Sequence, residues 1–365
     1  MAETNATILI PDISGFTEFM TTTELSHSSF AINMLIDAII KAVGDEYEVS
    51  EIEGDAVLLI RKGKAPSQQQ IQDICLKIFN SFHFQRKWMQ QHAVCPCGAC
   101  LAIGDLTLKF VVHHGPLAEI KVGGFVKQSG MEMIVAHRLL KNAINNNEYL
   151  LMTEKLLEHA GPSETNEMNW TSSYEEYASI GKVDYRFALL NEARKKCPEP
   201  PALQDYYKDD TPYFEKQIAA NFRNVYMVMM NIPGRSEWMP GLERVEQDIP
   251  QVFIGSVHYC TFENYRAIVS PLHMSLSDDR INYAESCHIK EIGISMVHEY
   301  IFDKIDEKNC RFAYRLMNAG GEIIPEEINT ALNERIQQMA EKLSDYCIKT
   351  QDASFNPAFH DTPHL

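Results

Sequence analysis

Three prolines within four residues, in Cys197-Pro198-Glu199-Pro200-Pro201-Ala202, interrupt this chain just past its middle. Proline lacks a backbone donor and disfavours helix in the residue before it, so no helix or inner strand is expected to cross this point. The polar run Asp205-Tyr206-Tyr207-Lys208-Asp209-Asp210-Thr211-Pro212 prolongs the break. A chain of 365 residues is long enough for two cores on either side of it, at about 100–200 residues per domain. The expected division is a first domain over 1–195, a linker over 196–212, a second domain over 213–350 and a tail over 351–365. A lesser break at Gly161-Pro162-Ser163-Glu164-Thr165-Asn166 reads as a loop.

The two halves differ in pattern. The first alternates short apolar strands (6–10, 106–113, 149–153) with segments whose apolar residues recur at helical spacing (28–43, 70–90, 133–143). Strands over 47–52 and 56–60 make a hairpin around Glu53-Gly54-Asp55. The second half opens with a strand over 215–222 and a short helix over 224–231. A meander of strands follows at 252–263, 281–291, 295–303 and 311–317. A long closing helix runs from Pro325 to about 350, where Ile328, Leu332, Ile336, Met339, Leu343 and Tyr346 share one face. Both halves are therefore α+β: a helix-covered sheet, then an antiparallel sheet around a long C-terminal helix.

Charge narrows the function classes. With 33 Lys+Arg against 50 Asp+Glu, the net charge is −17. Non-specific nucleic-acid binding needs a basic footprint, so nucleic acid is not an expected partner. No apolar stretch reaches the ~20 residues of a membrane span, and the first residues lack a signal peptide's basic region. Nine cysteines, several inside strands (Cys260, Cys287, Cys310), fit a reducing cytoplasm better than a disulfide framework.

Two aspartates carry the main chemical signal. Asp12 follows the apolar run Ile8-Leu9-Ile10 and opens Asp12-Ile13-Ser14-Gly15-Phe16-Thr17, and Asp55 sits at the hairpin tip. Two carboxylates on adjacent strands can hold Mg²⁺ or Mn²⁺ together with a triphosphate, with turn N–H groups meeting phosphate. The competing reading is that the Gly-Asp tip is only a turn.

The segment Ile8–Thr17 resembles the first metal-binding strand and turn of class III nucleotidyl cyclases, and Glu51-Ile52-Glu53-Gly54-Asp55-Ala56-Val57 resembles their second metal hairpin. Val112-His113-His114-Gly115-Pro116-Leu117 is similar to the His-x-Gly-Pro strand end of that family. Met133-Ile134-Val135-Ala136-His137-Arg138-Leu139 stands where it has Val-Asn-x-Ala-x-Arg, and Tyr174 to Leu190 resembles its closing hairpin. Together these cover roughly residues 6–191, and the likeness extends to a bacterial family of cyclase-like domains. It implies a ferredoxin-like cyclase fold, with Asp12 and Asp55 as metal ligands and Ile13, Gly15, Phe16 and Thr17 around the phosphates. Glu51 falls at the purine-selecting position, where a carboxylate implies guanine, and Lys127 at the second purine contact, where Asp, Thr or Cys is usual. Arg138 matches the arginine that stabilises charge on the reacting phosphate. Ile134 replaces the ribose-orienting asparagine, and Lys182 is near but not at the late Lys-Gly phosphate contact. The implied reaction, where the module is active, is that of a phosphorus–oxygen lyase turning GTP, before ATP, into a cyclic nucleotide in a head-to-tail homodimer. The losses leave open a degenerate module that only binds nucleotide or serves in dimerisation.

His92-Ala93-Val94-Cys95-Pro96-Cys97-Gly98-Ala99-Cys100 packs three thiols and an imidazole into nine positions. Zn²⁺ held by His92, Cys95, Cys97 and Cys100, a redox-sensing thiol group, and simple packing of small buried residues are all compatible with it.

In the second half, the order strand, short helix, Trp238-x-x-Gly241, strands and long helix resembles the START-like (SRPBCC, polyketide-cyclase) helix-grip superfamily. That resemblance implies a cavity for a small hydrophobic ligand. The alternative is that Met227, Met229, Met230, Phe262, Met296 and Phe312 fill the core. His258, His288 and His298 are expected to be solvent-facing or satisfied. The combined expectation is a cytoplasmic signalling-type protein that joins a nucleotide module to a ligand-binding module.

Overall fold

The computed structural model describes residues 3–23, 25–95, 97–161, 168–202, 214–249, 251–318 and 326–351. Contacts divide the chain into two compact units, Met1–Gln91 with Leu101–Pro200, and His92–Cys100 with Pro201–Leu365. Residues 203–212 of the expected linker, 352–365 of the expected tail, most of the 161–166 loop and Pro325 lie outside the described residues.

The first unit contains β1 (Glu3–Ser14), α1 (Phe16–Thr22), α2 (Leu25–Val43), β2 (Glu48–Glu53), β3 (Ala56–Lys62) and α3 (Gln68–His92). After α4 (Gly98–Ala102), whose first three residues belong to the second unit, come β4 (Thr107–Val122), β5 (Phe125–Ser129), α5 (Met131–Leu139), β6 (Tyr149–Thr153), α6 (Glu154–His159), β7 (Trp170–Tyr177), β8 (Gly181–Leu189) and α7 (Asn191–Lys195). The strand order is β2-β3-β1-β4-β6-β8-β7, with β5 paired to β4. Only β4 and β6 run parallel among the described strands. Nine consecutive residues of β1 are buried, so both faces of the sheet are covered there. On one face α5 packs Met133 and Ala136 against Ile8, Ile10, Leu58 and Ile60, and Val135 and Leu139 against Val111, Tyr149 and Leu151. The apolar periodicity of α2 is a true core stripe, with Ala31, Ile32, Leu35, Ile36, Ile39 and Val43 buried.

The second unit contains β9 (Phe214–Ile218), α8 (Phe222–Met230), β10 (Leu242–Gln247), β11 (His258–Phe262), β12 (Tyr265–Leu276), β13 (Arg280–Ile289), β14 (Ile294–Lys304), β15 (Cys310–Asn318) and α9 (Glu326–Gln351). Its sheet, in the order β10-β11-β12-β13-β14-β15-β9, is antiparallel throughout. Asn221 caps α8 by accepting from the Arg223 N–H at 3.0 Å. Ile336, Met339, Ala340, Leu343 and Cys347 of α9 join Tyr226, Tyr283, Phe302 and Phe312 in one core.

Several strands differ from the sequence pattern: the expected strand over 215–222 ends at Ile218, with α8 starting at Phe222, and β5 and β10 are additional. The expected strand over 252–263 begins only at His258, and β12 is an additional strand that contains Pro271. A register shift between Pro271 and His273 skips Leu272, so the ladder is broken directly beside the proline. The segment His92–Cys100, which the sequence pattern leaves in the first half, packs with the second unit. There Val94 donates to the Val252 carbonyl at 3.4 Å and Ile254 to the His92 carbonyl at 2.9 Å.

Candidate functional site

Asp12 lies inside β1 rather than at its end, opposite Ala56 of β3 on one side and Lys109 of β4 on the other. Pro11 does not end the strand, because β1 runs between two neighbours that continue past it. The hairpin tip is fastened here by one backbone bond: Ile13 N–H donates to the Asp55 carbonyl at 3.0 Å. That bond sets the Asp55 side chain within hydrogen-bond reach of Asp12. Burial raises the Asp12 carboxyl above its ordinary pKa; Lys109 opposes this and the charge and contact of Asp55 add to it. Lys109 Nζ stands 3.3 Å from Asp12 Oδ2. Two carboxylates and one ammonium therefore share a half-buried spot, the donor chemistry that a hard oxygen-seeking divalent cation would take.

The turn residues divide. Ile13 is fully buried and its N–H is already used by Asp55, so it is a framework residue and not a phosphate contact. Gly15 has φ 90°, a left-handed conformation that a side chain would strain, and it hands the chain from β1 into α1. Phe16 is half-buried and Thr17 exposed beside that turn.

The expected purine-reading residues meet each other. Lys127 Nζ is 3.0 Å from Glu51 Oε2. Burial pushes Glu51 up, but the Lys127 contact and charge, with Glu53 and His137, outweigh it and hold Glu51 below its ordinary pKa. Lys127 also lines a cleft of about 640 Å³ with Glu53, Ile134, His137, Arg138 and Tyr177. That lies within the ~300–1,000 Å³ of small-molecule sites. Ile134 presents an exposed apolar side chain there. Asp12 and Asp55 are not among the residues that line this cleft. Lys182 is occupied elsewhere, 2.6 Å from Asp184 and over the Tyr174 ring.

Behind the sheet, His113 is a strut. Its Nδ1 meets Thr153 Oγ1 at 2.8 Å and its Nε2 meets Glu132 Oε2 at 2.6 Å, while Lys155 binds Glu132 Oε1 at 2.6 Å. The His113 hydrogen bond, against burial and together with Lys155, draws Glu132 down to about 2. Gly115 is required by this arrangement, since a Cβ on it would stand 2.7 Å from Glu132 Cγ. Sequence reasoning missed Lys109 and Glu132; a Lys between the buried Leu108 and Phe110 was the available signal for the first.

The family model described as "Protein of unknown function (DUF2652)" matches residues 32–149. The chain is 32% identical over 120 residues to "Uncharacterized protein Rv2561/Rv2562" of Mycobacterium tuberculosis (strain ATCC 25618 / H37Rv). That match covers 33% of this chain and 56% of the relative, so the chain spans just over half the length of the curated relative it matches. Similar solved structures include the guanylyl cyclase Cya2, at TM-score 0.39 and 13% identity, covering 51% of this chain and 92% of that one. A bacterial light-regulated adenylyl cyclase matches at TM-score 0.39 and 15% identity, over 53% of this chain and 94% of its own.

In the second unit the polar centre is Arg235, 1% exposed, gripping Glu285 through two bonds of 3.3 and 3.1 Å. Tyr283 and Tyr300 hydroxyls donate to the same carboxylate at 2.8 and 3.3 Å. Burial pushes Glu285 up, but Arg235 and His258 overcome it and bring the group to about 2. His258 and His298 are buried rather than solvent-facing, and burial lowers each to about 4. His298 bonds the Tyr314 hydroxyl at 2.7 Å and His288 the Ser295 hydroxyl at 2.9 Å. The cavity beside this centre measures about 70 Å³. A dry engineered cavity of about 150 Å³ is needed for benzene, so no lipid-sized ligand fits the cavity in this conformation. Its lining is also mixed, with Arg235, Glu285, His298 and Arg335 among Met239, Phe262, Met296 and Leu332. Among the described residues, no helix is long and apolar enough to cross a membrane.

Proposed function

We propose that the first unit is a cyclase-like nucleotide module in which Asp12 and Asp55 together hold Mg²⁺ or Mn²⁺ on the phosphates of a nucleoside triphosphate. The observation that carries this reading is the approach of the two carboxylates, fixed by the Ile13–Asp55 backbone bond and balanced by Lys109. A divalent cation would offset both the burial that raises Asp12 and the Asp55 repulsion that adds to it. The Glu51–Lys127 couple supports guanine over adenine: guanine sets an O6 acceptor beside N1–H and N2–H donors, and a lysine beside a carboxylate offers the complement. The aspartates do not line the Lys127–Arg138 cleft, and the proposed complete site joins two copies, each supplying one half.

In the active form of this reading, the ribose 3′-oxygen attacks the α-phosphorus, its proton leaves to solvent, and the bond to pyrophosphate breaks. Arg138 would stabilise the charge gathering on the phosphate. Ile134 favours a second reading, a module that binds nucleotide without turnover. It is exposed on the cleft and offers no hydrogen bond to hold the ribose, and misplacement by ~1 Å can cost about a hundredfold.

Titration of the full chain with GTP and ATP in Mn²⁺, beside Asp12→Asn and Asp55→Ala, tests both. Mn²⁺-dependent GTP binding lost in both variants is expected, and product formation separates enzyme from binder. Absence of binding, or binding indifferent to both aspartates, refutes the proposal.

A further inference from the structure

Cys95, Cys97 and Cys100 are each at most 5% exposed, and their sulfurs all lie within 4.8 Å of one another. Cys97 Sγ donates to Cys100 Sγ at 3.4 Å, too far for a disulfide. The segment that carries them is seated on the second unit. Ala93 bridges to Phe253, Val94 pairs with Val252, and the Tyr226 hydroxyl donates to the Val94 carbonyl. Gln251, 1% exposed, comes from that same unit and donates Nε2 to Cys100 Sγ at 2.7 Å, while its Oε1 has no partner among the described residues.

Packing alone does not ask for this convergence. A core position wants a small apolar group, and one thiol supplies it; three sulfurs gathered within reach of one another's S–H groups are more than packing needs. A tetrahedral ion with metal–sulfur bonds of about 2.3 Å sets its sulfurs about 3.8 Å apart, within the range the three already occupy. An amide N–H directed at one sulfur is what orients a metal-bound thiolate. His92, the last residue of α3, is not among the ligand atoms gathered within that 4.8 Å, so the expected His92 ligand is not supported by the geometry.

We propose that Cys95, Cys97 and Cys100 form a thiolate site for a soft d¹⁰ cation, Zn²⁺ or Cu⁺, with Gln251 positioning the Cys100 sulfur. Three soft donors exclude the hard cations expected at Asp12 and Asp55, so this site is independent of the nucleotide reading. Each thiol gives its proton to solvent as its metal–sulfur bond forms, so an ion held by all three displaces three protons. Bound, the ion would fix the fold of this short segment, and the Gln251 amide would tie it to the body of the second unit.

The test is metal analysis of the full chain purified under reducing conditions, then cobalt substitution. Expected results are about one d¹⁰ ion per chain and a thiolate-to-cobalt charge-transfer band. Both should fall in Cys95→Ser, Cys97→Ser and Cys100→Ser. Gln251→Ala should keep the stoichiometry and lose about 10–100-fold in affinity against a competing chelator. Should the serine variants fail to fold, the wild-type chain still decides: its three thiols should resist alkylation until a chelator is added. Alkylation indifferent to chelator, or a folded, metal-saturated chain holding neither Zn²⁺ nor Cu⁺, overturns the proposal. So does a metal retained in all three serine variants.

Discussion

Replacing Glu285 by Gln strands a buried guanidinium, and the cost can be worked by two routes. Arg235 is 1% exposed and its two bonds to Glu285 are its counter-charge. Removing one partner of such a pair costs about 3–5 kcal/mol, because the other charge stays out of water uncompensated. The second route is linkage. A carboxyl drawn from 4.5 to about 2 is stabilised in its charged form by about 3 kcal/mol. The two agree, and Gln keeps an acceptor for the Tyr283 and Tyr300 hydroxyls, so the lower figure applies. The assay is urea unfolding read by Trp238 fluorescence, in a background where Trp88 and Trp170 are replaced by Phe. Trp238 is buried in the same unit, one residue past the turn that carries Arg235. With a slope of about 2 kcal/mol per molar, the midpoint should fall by about 1.5 M. The double variant Arg235→Met with Glu285→Gln should recover most of the loss, since no charge remains buried and the acceptor for both hydroxyls is kept. A single variant within about 0.2 M of wild type would refute the reasoning, as would a double variant no better than the single.

The same unit should be acid-sensitive well before Glu285 titrates. An unfolded histidine takes its proton near pH 6.5, whereas folded His258 and His298 resist down to about 4. Between those values the unfolded chain binds more protons, so stability falls as pH drops, by about 3 kcal/mol for each histidine taken alone. Urea midpoints of the Trp238 reporter between pH 7 and 4 check this, and a flat profile contradicts it. In the first unit, Gly115→Ala drives a methyl into Glu132, which His113 and Lys155 hold in place. A loss of about 1–3 kcal/mol in chemical denaturation is expected; a neutral effect would mean that Glu132 is free to move.

Much of the fold was legible because periodicity and burial agree. The α2 stripe, the β2–β3 hairpin and the apolar face of α9 follow directly from spacing. The β12 strand was not legible, since Pro271 inside it argues against a ladder unless a bulge absorbs it. Asp12 and Asp55 were legible as types at strand-and-turn positions, and their approach depends on β1 and β3 being neighbours. Lys109 and the Arg235–Glu285 pair were not: their partners lie 97 and 50 residues away, respectively. No local pattern encodes such a meeting. Glu51 and Lys127 were each singled out as expected purine contacts, yet not their bond to one another, because 76 residues separate them.

β2 occupies one end of the first sheet, and three of its six residues are glutamates: Glu48, Glu51 and Glu53. A terminal strand offers a row of unpaired backbone groups on which another chain can build, and short length and charge are the usual safeguards against it. Aligning this border with its twin would bring six carboxylates onto one seam. Sheet continuation is therefore closed as a route of self-association at this end.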